Sequence, residues 1–592
     1  MASMLLATLC ERPSRHSLRR GGWRQRDAQS SSEDDVDART IGQLARGLLL
    51  EYCDGWRSAN RLCSHSRNAV DDGATCKLAH ALGKLGGTRN ANAGVVTLPE
   101  KLPLPGIISA IEGSSSTHFI RPTDLIRCFQ QHYPQAFKLR LGACADSVAS
   151  FWRIFFRSEK RRAWAEEHRY LRGRSAHSLR NAIPVVVHQD AGPYSKAKSA
   201  DCICCSSLLA EGSEKITKFL LATCVADRGN DAAVWDEILR DLEVAAAGNF
   251  GGFSFILLFA KADEEQRCVK WGLPGYNDAH EVCADCLCNR SNRPYTDLSR
   301  SARWRGTETM PKEAFLARIR DHPARHLLAA SPFFTRWFFY PDVMHLLDCH
   351  GIAGLVYGGL LCYLVTLSVV GRSIPDRLAT INSERVRWYR AHPGLLPLPP
   401  IRRQNLRRDD WAELHGPAFK AANSRQASGF FLHLATKYLQ GRTVGGQDLE
   451  SCMWRIVYGL NDLYSLMWGQ PRFLLPEHVL RIREACISFG EAYMRCRQWA
   501  KERGELAFNV TVKVHRMQHL AAMAEIMKPA WVSCYSEESS VGTTTRVWRQ
   551  SMHGRYAKTV QHRVLLKRLC GLWLRLETLE DAVRGSASGS GS

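Results

Sequence analysis

The clearest pattern in the chain is a series of short apolar runs between residues 183 and 260. Residues 183–190 (IPVVVHQD) set three consecutive valines ahead of a carboxylate, Asp190. A continuous apolar run of that length predicts a strand buried on both faces. The Ala191-Gly192-Pro193 that follows predicts its end at Asp190. Residues 202–210 (CICCSSLLA) and 216–226 (ITKFLLATCVA) form the second and third runs. From Asp231, a candidate N-cap, the period changes to helical, with Val234, Trp235, Ile238, Leu239 and Leu242 on one face. Gly248 to Gly252 ends that helix, and residues 253–260 (FSFILLFA) read as a fourth buried strand leading to Asp263. A helical crossover returns the fourth strand parallel to the first. Asp190 and Asp263 are then expected at one sheet edge, on strands roughly 5 Å apart.

Around this α/β block the pattern is mostly helical. The chain divides into residues 1–40, a disordered basic arm; 41–180, a helical N-terminal region; 181–272, the first part of the sheet; 273–309, a Cys-rich insertion; 310–525, a helical insertion; 526–578, a closing strand and helix; and 579–592, a flexible Gly/Ser tail. The closing strand is expected at 529–535 and the last helix at 545–576. Residues 351–371 carry no charge over the length of a bilayer span, but follow a polar Asp- and His-containing segment without a basic flank, which predicts a buried core helix.

Composition adds a partner. A chain of 592 residues with net charge +22, most of the excess being Arg, predicts a polyanion, with nucleic acid ahead of an anionic membrane. The basic stretch with Arg157, Lys160, Arg161, Arg162, Arg169 and Arg172 has Trp164 and Tyr170 interleaved, a composition that suits a nucleic-acid backbone and bases. Arg546, Arg549, Arg555 and Lys558 form a second basic stretch. The 21 cysteines are scattered, which fits a reducing intracellular setting.

Two sheet-edge aspartates plus a third acid are what two-metal phosphoryl transfer requires, because hard cations such as Mg²⁺ or Mn²⁺ take carboxylate oxygens. The third acid is Glu537 or Glu538. These point about 100° apart on a helix, so one of them faces the site, and Glu538 is preferred. The bland alternative is an acidic first turn favoured by the helix dipole. Asp342 and His345 share a helical face three residues apart, although Asp342 also suits an N-cap. His280, Cys283, Cys286 and Cys288 have spacing suited to Zn²⁺. A second ligand pair is not evident, with Cys268, His188 and residues 202–205 candidates only by elimination. His515 and His519, four apart, could share a ligand.

Taken in order, several segments resemble the DDE transposases of the CACTA, Plavaka and Kyakuja–Dileera–Zisupton groups. These segments are 183–192 (IPVVVHQDAG), 255–266 (FILLFAKADEEQ) with Cys-x-x-Cys downstream, 338–352 (FFYPDVMHLLDCHGI), 512–520 (VKVHRMQHL) and 533–542 (SCYSEESSVG). The resemblance covers roughly residues 140–570. It implies an RNase H-like mixed sheet with strand order 3-2-1-4-5, interrupted by the two insertions. It also implies catalytic Asp190, Asp263 and Glu537 or Glu538, with Asp342 and His345 at the active site. The expected activity is metal-dependent cleavage and joining of DNA at transposon ends, in the nucleus, by a protein that can act as a homo-oligomer. Gln189, Ala191 and Ala262 depart from the pattern. The competing readings are a catalytically inactive, domesticated DNA-binding protein on the same scaffold, and a membrane-anchored protein through 351–371.

Overall fold

The computed structural model describes residues 46–56, 58–71, 107–111, 117–226, 231–278, 280–308, 312–320, 327–366, 371–408, 410–440, 449–552 and 560–588. The basic arm at 1–40 and the positions of Arg555 and Lys558 lie outside them.

A seven-stranded mixed sheet organises the fold. Its strands are β1 (Ile108–Ala110), β2 (His118–Ile120), β3 (Ala182–Pro193), β4 (Ser199–Ser207), β5 (Phe219–Val225), β6 (Ser254–Ala262) and β7 (Phe339–Pro341). Their order across the sheet is β1-β2-β5-β4-β3-β6-β7. β4 runs antiparallel to β3, while β6 is parallel to β3 and β7 parallel to β6. The four expected core strands all form, and the expected α/β class holds. The central strand β3 is buried along almost its whole length, as its apolar run requires.

Three expectations about the sheet change. Residues 529–535 are not a strand: Pro529–Val532 is a 3₁₀ turn, and the strand beyond β6 comes instead from Phe339–Pro341. Pro529 removes one ladder donor and fixes its own φ, which suits a turn start better than a central strand. The N-terminal region is not purely helical, because β1 and β2 extend the sheet beyond β5. Nor does β3 stop at Asp190. Pairing with β4 continues through Gly192↔Ala200 and Pro193↔Ser199, whereas pairing with β6 ends at His188↔Lys261. Pro193 is tolerated because it is the strand's last residue. A Cβ on Gly192 would stand 2.6 Å from the Thr545 Cγ2, so a glycine lets the strand continue beneath the helix that crosses it.

The helices that matter here are α1 (Ala145–Phe155), α2 (Glu159–Glu167), α3 (Asp231–Ala247), α4 (Glu264–Val269), α5 (Ile352–Thr366), α6 (Leu449–Gly469), α7 (Pro476–Glu502), α8 (Val512–Met517), α9 (Leu520–Ile526), α10 (Tyr535–Ser551) and α11 (Val560–Ser588). The expected single closing helix is thus two, and α11 continues to Ser588, into the stretch expected to be a flexible tail. α3 is the crossover between β5 and β6.

The apolar segment 351–371 supplies α5, in which every residue from Ile352 to Val365 is buried. Its glycines explain how it fits. A Cβ on Gly358 would lie 2.5 Å from the backbone of Glu413, and one on Gly359 would lie 2.7 Å from the Phe508 ring. α5 therefore packs inside the described fold on all sides, which matches the core-helix expectation and leaves the membrane-anchor alternative without an outward apolar face.

Candidate active site and metal centre

β3–β6 pairing ends at His188↔Lys261, two residues before Asp190 and Asp263, so both acids stand just past it at the same edge, where the Asp263 charge acts on Asp190. Asp190 is buried, and its Oδ1 accepts the Ala191 amide at 2.7 Å. Asp263 N-caps α4, accepting the Gln266 amide at 2.7 Å. α10 crosses the same edge and brings Glu538 beside Asp190. Burial raises the pKa of Asp190, and the nearby charges of Glu538 and Asp263 raise it further. Burial also raises that of Glu538, with Asp342 and Asp263 adding to the effect. Three acids from three distant segments thus gather at one edge, a set of carboxylate oxygens suited to a divalent cation.

Glu537, next in sequence, faces the other way. It is fully buried, with one carboxylate oxygen 2.7 Å from both Lys218 Nζ and Lys261 Nζ. Burial opposes its charge, but the two ammonium groups prevail and hold its pKa well below the usual carboxylate range. Lys261 also donates to the Ser533 carbonyl at 3.0 Å, just before α10 begins. The preference for Glu538 over Glu537 therefore has a geometric basis, and Glu537 fastens α10 to β6.

Asp342 follows β7 directly, and its carboxylate holds the start of the helical turn Met344–Asp348 as well as facing the site. Its oxygens accept the amides of Met344 (3.2 Å), His345 (3.0 Å) and Cys534 (2.8 Å). Its Oδ2 also meets His345 Nδ1 at 2.6 Å, and His345 Nε2 faces Glu538 Oε1 at 3.6 Å. Burial disfavours the imidazolium, but the bond to Asp342 outweighs it and raises the His345 pKa. Asp342, His345 and Glu538 form one chain of contacts.

Gln189, a departure from the resembled pattern, points to the opposite face of β3. Its Oε1 accepts from the indole N–H groups of Trp235 (3.0 Å) and Trp271 (2.9 Å). It joins the crossover helix to the end of α4 beneath the acids.

The second centre is a buried group of Cys283, Cys286, His515 and His519, whose ligand atoms lie within 4.8 Å of one another. Cys286 Sγ is 3.2 Å from His515 Nε2, and Cys283 Sγ is 3.6 Å from His519 Nε2. Two thiols and two imidazoles at this separation fit a tetrahedral zinc set. The outer nitrogen of His519 meets Glu308 Oε1 at 2.9 Å, the carboxylate support common behind metal-bound histidines. The expected set is therefore revised. His280 is exposed and takes no part, and Cys288 is buried beside the cluster but outside the four. The missing pair was the His515/His519 motif, noticed in the sequence but not connected to the cysteines. Among the candidates taken by elimination, Cys268 instead contacts Glu264 at 3.1 Å, and His188 and residues 202–205 belong to the sheet.

The basic stretches separate into two kinds of residue. Arg157, Lys160, Arg162, Arg169, Arg172 and Arg549 are exposed. Arg161 is buried, donates to the Phe155 carbonyl at 2.7 Å and lies over the Phe473 ring, so it is part of the core and is removed from the nucleic-acid set. Arg546 is half-buried and covers the Trp56 ring at 4.0 Å. Trp164 is buried, and its N–H donates to the Arg336 carbonyl at 2.6 Å, so it does not offer a stacking face.

No family model matches the chain, and a search of the curated proteins returns no match.

Proposed function

We propose that the protein is a metal-dependent DNA nuclease and strand transferase of the transposase type, acting in the nucleus on a double-stranded DNA partner. The observation that carries this reading is the juxtaposition of Asp190, Asp263 and Glu538, three acids gathered from separate segments at one edge of the sheet. The strand order β5-β4-β3-β6-β7, in which β4 alone of the five runs against the others, supports an RNase H-like description of the core. The excess of positive charge and the exposed arginines of 157–172 support a phosphate backbone as partner.

Asp190, Asp263 and Glu538 would hold Mg²⁺ or Mn²⁺, which when bound supplies charge stabilisation at the attacking and leaving oxygens of an in-line displacement at phosphorus. The protein's own groups do the rest. β3 and β6 fix the two aspartates at neighbouring positions. Glu537 sets the rotation of α10, so that Glu538 faces them. Asp342 fixes the His345 tautomer, leaving Nε2 directed at Glu538 and able to hold or pass a proton there. Zn²⁺ at the second centre would join the Cys-bearing segment to α8 and α9.

The test is nicking of supercoiled DNA by purified protein with Mg²⁺ or Mn²⁺. Asp190→Asn and Glu538→Gln should each abolish nicking while leaving DNA retention intact. Nicking that persists in both variants defeats the catalytic assignment. DNA retention without any nicking by the unaltered protein favours the inactive DNA-binding alternative.

A further inference from the structure

A cavity of about 520 Å³ opens beside the acids, sharing Asp342 and His345 with them. Its walls come from three separate segments. Tyr276 and Tyr295 belong to the Cys-bearing insertion, and their rings meet edge-on at 6.4 Å. Trp411 and Arg408 belong to a short hairpin of β8 (Arg407–Arg408) and β9 (Trp411–Ala412). Lys513 projects from α8. The hairpin turn is tight enough to hold Asp410 at φ +68°, and the Arg497 guanidinium braces the Trp411 ring at 5.3 Å.

The charge of this cavity is distinctive. Lys513 Nζ donates to the carbonyls of Cys349 (3.2 Å) and His350 (2.8 Å), and Arg408 adds a second cation to a lining that also holds Glu264, Asp342 and Glu413. Three aromatic side chains beside a lysine and an arginine suit a planar ring attached to an anion, and the volume lies within the range of nucleotide-sized sites.

We infer that this cavity takes one unstacked nucleobase of the DNA strand whose phosphate lies at the acids. The inference rests on the nuclease reading above. The base stacks among Tyr276, Tyr295 and Trp411, and Lys513 meets its phosphate. Unpairing a base costs least beside a nick or mismatch, so substrates with an unpaired nucleotide there are preferred over continuous duplex.

The test uses the full chain and DNA duplexes carrying 5-iodo-deoxyuridine, either unpaired beside a nick or paired in continuous duplex. Ultraviolet cross-links are then mapped by mass spectrometry. Cross-links to Tyr276, Tyr295 or Trp411 from the unpaired position alone are expected. Trp411→Ala should weaken binding of the unpaired substrate about ten-fold, a typical loss for one stacked base. Trp411→Phe should restore most of it, and continuous duplex should bind all three proteins alike. Tyr276→Ala provides a second variant at an exposed ring (52% accessible), where the fold is not at stake. DNA that is bound and nicked but cross-links only at 157–172 overturns the cavity proposal and leaves the nuclease reading standing. Saturable labelling of these rings by 5-iodo-deoxyuridine monophosphate, with none from DNA, reassigns the cavity to a free nucleotide and also overturns it. Absence of any DNA retention removes both readings.

Discussion

Glu537 and Glu538 are adjacent in sequence and opposite in electrostatic surroundings: the first is gripped by two lysines, the second is pressed against another acid. One turn of α10 therefore carries both the fastening and the proposed chemistry. Replacing each in turn separates them. Glu537→Gln leaves Lys218 and Lys261 buried without their counter-charge, and should cost about 3–5 kcal/mol, read as a lowered midpoint in thermal or denaturant unfolding. Glu538→Gln removes a like charge from Asp190, so its fold should be at least as stable as the unaltered protein while Mg²⁺-dependent nicking is lost. Equal destabilisation by the two substitutions contradicts this division.

The crowded acids also predict how stability depends on pH. The folded pKa values of Asp190 and Glu538 are raised above their unfolded values. Their contribution is fully present below the unfolded carboxyl pKa and is lost as pH rises through the folded values. Metal-free protein should therefore lose stability from this pair on going from acid toward neutral pH. Divalent cation reverses the effect because it binds the ionised form. At a hundred-fold excess over its dissociation constant, stabilisation should reach about 2.7 kcal/mol. Melting curves with Mg²⁺ and with EDTA at pH 5 and pH 8 check this, the expected Mg²⁺ shift being larger at pH 8. A shift independent of pH places the ion elsewhere.

Elemental analysis tests the second centre. Purified protein should carry close to one zinc per chain, and Cys283→Ser or His519→Ala should remove it, while His280→Ala should keep it. Loss of the ion should lower the melting temperature markedly, because the free energy of binding a structural zinc is free energy of folding. Full zinc content in Cys283→Ser points to a different ligand set.

Gln189 offers a test away from any proposed chemistry. In Gln189→Ala, the indole N–H groups of Trp235 and Trp271 lose their acceptor inside the core. Each lost hydrogen bond costs about 0.5–1.5 kcal/mol, so the variant should unfold at visibly lower denaturant concentration. Unchanged stability would falsify the bridging role.

Much of this centre was legible in the sequence because it rests on local signals. Apolar runs ending near Asp190 and Asp263, with a helix between, are sufficient to place two acids on neighbouring strands. What was hidden depended on contacts between distant segments. Nothing local distinguishes Phe339–Pro341 from any other three-residue apolar piece, yet it pairs with β6, while the more strand-like 529–535 turns at Pro529. Arg161 reads as one more surface cation until Phe473 and the carbonyls of α1 are seen around it. The zinc set was split in the same way, its halves recognisable separately but joined only by the fold.

That split has a consequence for how the protein is made. Cys283 and His519 are 236 residues apart, and Cys286 and His515 are 229 apart. Glu538 lies beyond both histidines, whereas Asp190 and Asp263 precede both cysteines. During synthesis the two aspartates emerge long before the glutamate, and the cysteines long before their imidazole partners. A ribosome-bound chain therefore passes through a prolonged stage with unpaired thiols and an incomplete acidic cluster. If the proposed nuclease reading holds, DNA-cutting capacity is withheld until translation has run past the entire helical insertion, a safeguard built into the order of the polypeptide itself.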